Sequence, residues 1–148
     1  MAKVKTLLIV ENDPEQLRPR KELFEREGWE VLTAASPEEA RTILANEWVH
    51  LAVVDLRLRD DNDPNDLSGL ELVKSTDPAI PKIMWSAFPS YEAATKALRL
   101  DANGIPYAVH FVDKADGFNE LRAKVEGVFR DKVYINTALE IVPEAGAS

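Results

Sequence analysis

The sequence predicts an α/β fold in which five βα units surround a parallel sheet. Short apolar runs alternate with amphipathic stretches of about a dozen residues, which is the pattern of repeated βα units. The first and third runs, residues 5–10 and 51–55, are nearly continuous in leucine, isoleucine and valine, as in strands that helices cover on both faces. A chain of 148 residues corresponds to one ordinary domain, so one packed core is expected.

Each element has a local signal. Strands are predicted at residues 5–10, 30–34, 51–55, 82–86 and 109–112. The first two helices begin clearly, because Asp13 and Ser36 each precede a proline suited to the first helical position. Gln16 and Glu39 are placed to close capping boxes there, and a weaker box begins at Ser68. Apolar stripes at helical spacing mark the second and fifth helices: Ala40, Ile43 and Leu44, then Leu121, Val125, Val128 and Phe129.

The end of the chain departs from this pattern. After Phe129 the βα alternation stops, and residues 132–135 could form one more strand. We therefore divide the chain into a domain at residues 1–130 and a C-terminal tail or truncated linker at residues 131–148.

Charge and composition exclude several classes of function. The chain has 26 acidic and 18 basic residues and a net charge of -8, so its field repels phosphate backbones and direct nucleic-acid binding is not expected. Without cysteine it has no disulfide, no thiolate zinc site and no thiol nucleophile. Its apolar runs are far shorter than the roughly 20 residues that cross a bilayer, and Glu11 and Asp13 interrupt any signal peptide. We expect a cytoplasmic protein without a membrane partner.

Polar residues follow four of the predicted strands, at the ends where parallel α/β sheets bind ligands. They are Glu11, Asn12 and Asp13 after the first strand, Asp55 at the end of the third, Ser86 at the end of the fourth, and Lys114 after the fifth. Together they offer a carboxylate nucleophile, oxygen ligands for a hard cation, a hydroxyl donor and a cation. Such a set suits phosphoryl transfer to Asp55.

Five segments carry a resemblance to a known family: LLIVENDP at residues 7–14, VVDLRL at 53–58, SGLEL at 68–72, IMWSA at 83–87 and FVDK at 111–114. Their order and approximate spacing across residues 4–130 resemble the receiver domain of two-component response regulators. The resemblance implies a doubly wound, flavodoxin-like, five-stranded parallel sheet of strand order 2-1-3-4-5. It also implies phosphorelay signalling, with a sensor histidine kinase or phosphotransfer protein as donor and a downstream effector protein as reader. Whether the protein forms a homodimer is left open.

The resemblance assigns a metal site and a nucleophile. Asp55 would attack the phosphorus of a phosphohistidine or a small acyl phosphate and form an aspartyl phosphate. The cofactor would be Mg²⁺, held by Asp55, the backbone carbonyl of Arg57 and oxygens of Glu11 and Asn12. Asp13 is an alternative ligand, but we expect its carboxylate to cap the first helix instead.

The resemblance also assigns a switch. Lys114 would pair with phosphoryl oxygens, and Ser86 would donate a hydrogen bond to one of them. When Ser86 moves toward the phosphoryl group, Phe111 would fill the vacated space and repack the surface near the fourth helix. Enzymatic activity would be limited to self-phosphorylation and self-dephosphorylation.

Three departures from the family pattern matter. Glu11 and Asn12 stand where two acidic residues are usual, so we expect weaker Mg²⁺ binding. Ala115 replaces the proline whose cis bond usually follows the lysine, and a cis bond before alanine costs roughly 2.5–4 kcal/mol. The turn is then either trans with Lys114 aimed differently, or strained. Arg57 and Phe88 are bulky, and we expect them to hinder attacking water and slow hydrolysis of the aspartyl phosphate.

The first two of these departures, the altered acidic pair and Ala115 after Lys114, keep a second function open, a phosphorylation-independent pseudo-receiver that acts as a protein-binding module. Other enzymes are disfavoured, because an aspartate-based phosphatase needs an acid where Arg57 stands and a flavin-binding fold needs a Ser/Thr-rich loop after the first strand. The aspartates from Asp60 to Asp66 lack the glycine and glutamate of a calcium loop, so a solvated acidic loop is expected. Structural roles are expected for the histidines and packing roles for the tryptophans: His50, His110, Trp29, Trp48 and Trp85.

Overall fold

Within residues 5–133 the sheet consists of five parallel strands in the order β2-β1-β3-β4-β5. In the computed structural model, which describes residues 5–133, the strands are β1 (Thr6–Val10), β2 (Glu30–Ala34), β3 (Leu51–Val54), β4 (Lys82–Ser86) and β5 (His110–Asp113). The predicted α/β class, the doubly wound flavodoxin-like architecture and the strand order 2-1-3-4-5 are confirmed. Two of the five predicted strands have the observed bounds, two differ by one residue at one end, and the fifth is shifted by one residue at both ends. Asp55 therefore lies just beyond β3.

In the part of the chain that the structure describes, five α-helices cover the two faces of the sheet. They are α1 (Pro14–Arg26), α2 (Pro37–Asn46), α3 (Ser68–Ser75), α4 (Tyr91–Ala97) and α5 (Phe118–Val128). The predicted cap of α2 is present, because the Ser36 hydroxyl accepts from the backbone N–H of Glu39 at 3.2 Å. Glu39 in turn accepts from the backbone N–H of Ala35 at 2.8 Å, so two donors at the helix start are satisfied.

The start of α3 differs from the prediction, because Ser68 does not cap it. Instead the buried Asp66 carboxylate accepts from the backbone N–H and the hydroxyl of Ser68, at 2.9 and 2.6 Å. Its other oxygen accepts from the backbone N–H groups of Arg59 and Asp60, at 2.8 and 2.7 Å. The expectation of a solvated acidic loop is therefore wrong for Asp66. A buried carboxylate that satisfies backbone donors organises the connection between β3 and α3.

Gly69 lets α3 approach the end of β3. A Cβ atom at this position would lie 1.9 Å from the backbone oxygen of Asp55, which is impossible without a shift of the backbone. The Gly69 backbone N–H donates to the carbonyl of Leu56 at 2.9 Å. This close contact fixes the backbone around Asp55.

The core lies in two layers, one on each side of the sheet. Trp29 and Trp85 are buried in the layer that includes α1 and α5, as predicted. The expectation for Trp48 is wrong, because this side chain is 70% exposed and donates from its indole N–H to Nε2 of His50 at 2.9 Å. Trp48 follows α2 at the sheet's amino edge, where neither layer extends over it.

The C-terminal predictions are only partly within the described residues. Lys132 and Val133 belong to a single π-helical turn, Phe129–Val133, so the predicted strand at 132–135 does not begin where expected. The rest of that strand and residues 134–148 lie outside the described residues, and the division at residue 131 stays a prediction. No helix within residues 5–133 combines the length and hydropathy needed to cross a membrane.

Candidate phosphoacceptor site

Two buried carboxylates lie side by side at the carboxyl edge of the sheet. The backbone N–H of Asp55 donates to the carbonyl of Val10, and that of Glu11 donates to the carbonyl of Ala34, each at 3.0 Å. These bonds continue the sheet pairing by one residue, so both side chains start at adjacent strand ends. Glu11 is 1% exposed and Asp55 is 5% exposed. Two carboxylates so close and so buried require a cation.

Lys114 supplies that cation. Its Nζ lies 2.6 Å from Oε1 of Glu11 and 3.2 Å from Oδ2 of Asp55, and its side chain is only 9% exposed. A third acceptor, Oε1 of Gln16, lies 2.6 Å away. The structure thus brings together Asp55, Glu11 and Lys114, which the sequence predicted at separate strand ends.

The turn after Lys114 shows whether the peptide bond before Ala115 is trans or a strained cis bond. Within residues 5–133 every peptide bond is trans, and residues Lys114–Asp116 form one 3₁₀ turn. Oδ1 of Asp113 accepts from the backbone N–H of Ala115 at 2.8 Å and so caps this turn. The trans alternative is the observed one, but Lys114 is not turned away, because its ammonium reaches Asp55.

Ser86 ends β4 at the same edge and is fully buried. Val54 pairs with Met84, so Ser86 lies two residues further along its strand, beside the segment that carries Asp55. Its Oγ accepts from the backbone N–H of Phe88 at 2.9 Å. Phe111 pairs with Met84 from β5 and packs, partly buried, against the core layer that includes α3 and α4. Ser86 therefore lies on the strand next to the one that carries Phe111.

The two residues that follow Glu11 have different environments: Asp13 caps α1, whereas Asn12 has an acceptor oxygen without a donor. Asp13 caps α1 as expected, because its Oδ1 accepts from the backbone N–H of Glu15 at 2.9 Å. Oδ1 of Asn12 is buried and has no hydrogen-bond partner. A buried amide oxygen without a donor is costly, and a cation beside Glu11 would satisfy it.

These oxygens fit Mg²⁺. Within the described range no group of three or more His, Cys, Asp or Glu side chains is arranged to hold a metal. Mg²⁺ does not need such a group, because it keeps several waters and binds through one or two carboxylates plus other oxygens. Glu11, Asp55 and the partnerless oxygen of Asn12 are donors of that kind.

Arg57 and Phe88 stack on each other at the rim. The guanidinium carbon of Arg57 lies 3.7 Å from the centre of the Phe88 ring, and Nη1 donates to the backbone carbonyl of Asp61 at 2.7 Å. The stack joins the connection after β3 to the connection after β4, and the ring is 43% exposed. Arg57 and Phe88 follow the strand-end residues Asp55 and Ser86, respectively, by two positions in the chain.

Burial changes the acidity of Asp55. Loss of water and the adjacent Glu11 carboxylate together raise its pKa from 3.8 to about 7, although the Lys114 ammonium opposes both effects. The side chain therefore ionises near neutral pH, and Lys114 is the group that favours its ionised form. A nucleophilic carboxylate needs that form.

Sequence reasoning missed two residues of the site. Gln16 was assigned to a capping box, but its Oε1 faces Lys114, and its Nε2 donates to Oδ2 of Asp13 at 3.3 Å. The guanidinium carbon of Arg20 lies 4.4 Å from the centre of the Trp85 ring. Burial lowers the pKa of Arg20, while the charges of Glu11, Asp13 and Asp55 oppose this shift. Neither residue lies in a motif that would have distinguished it from an ordinary helix residue.

The chain belongs to the response regulator receiver domain family, which matches residues 7–126. Receiver domains are components of two-component systems, where they generally bind Mg²⁺ and interact with histidine kinases and effector domains. Among curated protein sequences, none matches the chain significantly.

Solved structures agree with this assignment. A CheY-like response regulator receiver domain protein from Methanospirillum hungatei is 28% identical, with a TM-score of 0.75 over 88% of this chain and 97% of that one. The response regulator TrrA from Thermotoga maritima, solved in complex with Mg²⁺ and BeF, is 25% identical, with a TM-score of 0.68 over 84% of this chain and 98% of that one. The receiver domain of NtrX from Brucella abortus, at 23% identity and a TM-score of 0.68 over 84% and 98% of the two chains, shows the same fold.

Proposed function

We propose that this receiver domain accepts a phosphoryl group on Asp55 in an Mg²⁺-dependent reaction and thereby switches a protein-interaction surface. The observation that carries the proposal is the position of the Lys114 ammonium, 3.2 Å from the buried Asp55 carboxylate. A cation beside a carboxylate at a strand end favours the ionised nucleophile. It also offers a counter-charge to the arriving phosphoryl oxygens.

The transfer itself is a displacement at phosphorus. An oxygen of the Asp55 carboxylate attacks and forms a new O–P bond. The bond between phosphorus and the donor, a histidine nitrogen or an acyl oxygen, breaks, and its electron pair leaves with the donor. Lys114 then pairs with phosphoryl oxygens, and Ser86 donates its hydroxyl proton to one of them in a hydrogen bond. Any activity of the domain alone is limited to self-phosphorylation and self-dephosphorylation.

The proposed metal ligands are Glu11, Asn12, Asp55 and the backbone carbonyl of Arg57. Bound Mg²⁺ would supply positive charge that reduces the repulsion between the anionic nucleophile and the anionic donor. Because Asn12 is neutral, we expect a lower affinity than two acidic residues would give.

The proposed switch uses Ser86 and Phe111. If the Ser86 hydroxyl leaves the backbone N–H of Phe88 and donates to the phosphoryl group, it vacates space beside β5. Phe111 is only partly buried and can move into that space. The surface formed by α4 and β5 changes as a result, and a downstream effector protein would read that change.

Hydrolysis of the aspartyl phosphate is expected to be slow, because Arg57 and Phe88 form a stacked cover at the rim. We expect an Arg57→Ala, Phe88→Ala double variant to lose its phosphoryl group several-fold faster, since water then has an open approach to phosphorus. Decay of the labelled protein after removal of the donor measures this. Decay no slower in the wild type than in the double variant would overturn the shielding role.

The partners follow from this function. We propose a sensor histidine kinase or phosphotransfer protein as donor and an effector protein as target, with the protein acting in the cytoplasm. A pseudo-receiver that never takes a phosphoryl group is not favoured, because the two departures that suggested it leave Lys114 beside Asp55 and oxygen ligands beside Glu11.

Incubation with acetyl phosphate tests the proposal. Wild-type protein should gain one phosphoryl group in the presence of Mg²⁺ and none in the presence of a chelator, as measured by intact mass. Asp55→Asn should gain none, while Asp63→Asn, an exposed aspartate in the same connection, should behave like the wild type. Absence of labelling in the wild type with any phosphodonor would favour the pseudo-receiver.

A further inference from the structure

The Lys114 ammonium is held by three acceptors, and Gln16 is one of the two nearest. Oε1 of Gln16 and Oε1 of Glu11 each lie 2.6 Å from Nζ, whereas Oδ2 of Asp55 lies 3.2 Å away. An ammonium has three protons and a flexible four-carbon stem, so its direction is decided by the acceptors around it. Gln16 therefore contributes directly to where this cation points.

Gln16 is itself held in place at the start of α1. Its backbone N–H donates to the carbonyl of Asp13 at 3.1 Å, and its Nε2 donates to Oδ2 of Asp13 at 3.3 Å. Because the amide nitrogen faces an acceptor at Asp13, the amide oxygen is left facing Lys114. The orientation of the side chain is thus set by its neighbours.

A second connection joins the same helix to Lys114. Nη1 of Arg20 donates to the carbonyl of Gln16 at 2.9 Å, and its guanidinium carbon lies 4.4 Å from the centre of the Trp85 ring. The Lys114 Nζ lies 5.1 Å from the centre of that same ring. The segment that carries Gln16 and the cation that it holds therefore rest on one buried aromatic side chain.

We propose that Gln16 is a positioning residue that holds the Lys114 ammonium beside Asp55 and thereby sets its direction during phosphoryl transfer. This inference rests on the proposed function of Asp55. It also accounts for how Lys114 is aimed across a trans peptide bond to Ala115. The Asp113 cap fixes the backbone of the turn, and Gln16 fixes the end of the side chain.

The position of Lys114 is tested without phosphorylation, by nitrogen-15 NMR of lysine ammonium groups in Mg²⁺-free buffer below neutral pH. The buried, triply bonded ammonium of Lys114 should give a protected signal, assigned by its absence in Lys114→Arg. Gln16→Met, which has a similar shape but no strong acceptor, should broaden or abolish that signal, and Gln16→Glu should retain it. The signal of Lys82, buried at the opposite edge of the sheet, should stay constant as an internal reference. A Lys114 signal that is unchanged in Gln16→Met would overturn the proposal.

The kinetic consequence is tested with acetyl phosphate. Gln16→Met should phosphorylate roughly tenfold more slowly at saturating donor, with little change in the donor concentration at half-maximal rate. Gln16→Glu should recover part of that rate, and Arg18→Met, on the exposed side of the same helix, should match the wild type. A wild-type rate in Gln16→Met would overturn the inference even where Asp55 is phosphorylated. If wild-type protein is never phosphorylated, the proposed function fails, and the ammonium signal alone decides whether Gln16 holds Lys114.

Discussion

Two lysines are buried at opposite edges of this sheet, and their surroundings differ. At the carboxyl edge Lys114 contacts Glu11 and Asp55, so its charge is matched. At the amino edge Lys82 begins β4, is 2% exposed and donates to the backbone carbonyl of Asp77 at 2.5 Å. Burial lowers the pKa of Lys82 to about 8, with the Asp77 charge opposing that shift.

Burial of a lysine does not by itself indicate a functional site. Both ammonium groups lose water, yet only Lys114 is bonded to carboxylates that lose water with it. Lys82 lines a cleft of about 280 Å³ between α3 and the connection that precedes β5, where its charge has a neutral carbonyl as acceptor. A buried lysine is therefore informative about chemistry only when the groups around it are ionisable and meet at the ligand-binding edge of the sheet.

Removal of Lys114 should have the largest effect. In Lys114→Met, two buried carboxylates lose their shared cation, and we expect the free energy of unfolding to fall by about 3 kcal/mol. The loss should be largest above about pH 7, where Asp55 is ionised, and smaller at acidic pH, where it is protonated. Urea unfolding, monitored by circular dichroism below and above pH 7, measures the loss of stability and its dependence on pH.

The matched control is Lys124→Met, since that side chain is 40% exposed on α5. It should change stability by less than about 0.5 kcal/mol. A Lys114 variant as stable as this control would mean that the carboxylates do not depend on the lysine, and the contrast between the two edges would be lost.

Removal of Lys82 should increase the free energy of unfolding, in contrast to removal of Lys114. Its folded pKa lies below its unfolded value of 10.5, so charging it in the folded state costs free energy below about pH 8. We expect Lys82→Met to raise the free energy of unfolding by about 1–2 kcal/mol at neutral pH. The gain should shrink between about pH 8 and 10.5, because the wild type is stabilised there as its folded state loses the proton first. Destabilisation at neutral pH would show that the Asp77 carbonyl bond outweighs desolvation.

The smallest expected effect concerns Asp55 in metal-free protein. Its folded pKa of about 7 lies above its usual 3.8, so ionisation in the folded state carries a penalty that is absent below 3.8 and complete above about 7. We expect Asp55→Asn to be more stable than the wild type by about 1 kcal/mol above pH 7, since Lys114 keeps Glu11 and Gln16 as acceptors. The difference should vanish as the pH falls toward 3.8. Chemical unfolding with a chelator present measures it, and a gain that does not change with pH would point to packing rather than ionisation.

The fold was predictable because its signals are local. Apolar runs such as residues 51–55 and the cap at Ser36 act within one element. The strand order was implied by the family resemblance that the strand-end motifs carry. The structural role of Asp66 could not be predicted in this way. It depends on a loop that folds back so that the backbone N–H of Arg59, seven residues earlier, donates to the Asp66 carboxylate. The exposure of Trp48 depends on where the core layers stop, which no local pattern encodes.

The part of the site at the strand ends could be predicted from the sequence. Asp55 and Lys114 could be placed at one edge because parallel strands end there together. The contact from Gln16 could not, because it joins residues 98 positions apart through a side chain whose spacing also fits a helix cap. The spacing between Asp13 and Gln16 fits a helix cap, and only the tertiary structure shows that the Gln16 side chain also contacts Lys114.

The most direct test of the central claim is a crystal structure of the protein with Mg²⁺ and fluoroberyllate. We expect fluoroberyllate on the Asp55 carboxylate, with Lys114 Nζ and Ser86 Oγ each within hydrogen-bond distance of a fluorine, and Mg²⁺ in contact with Glu11 and Asn12. Fluoroberyllate absent from Asp55 at saturating concentration, or bound there with Lys114 and Ser86 turned away, would contradict it.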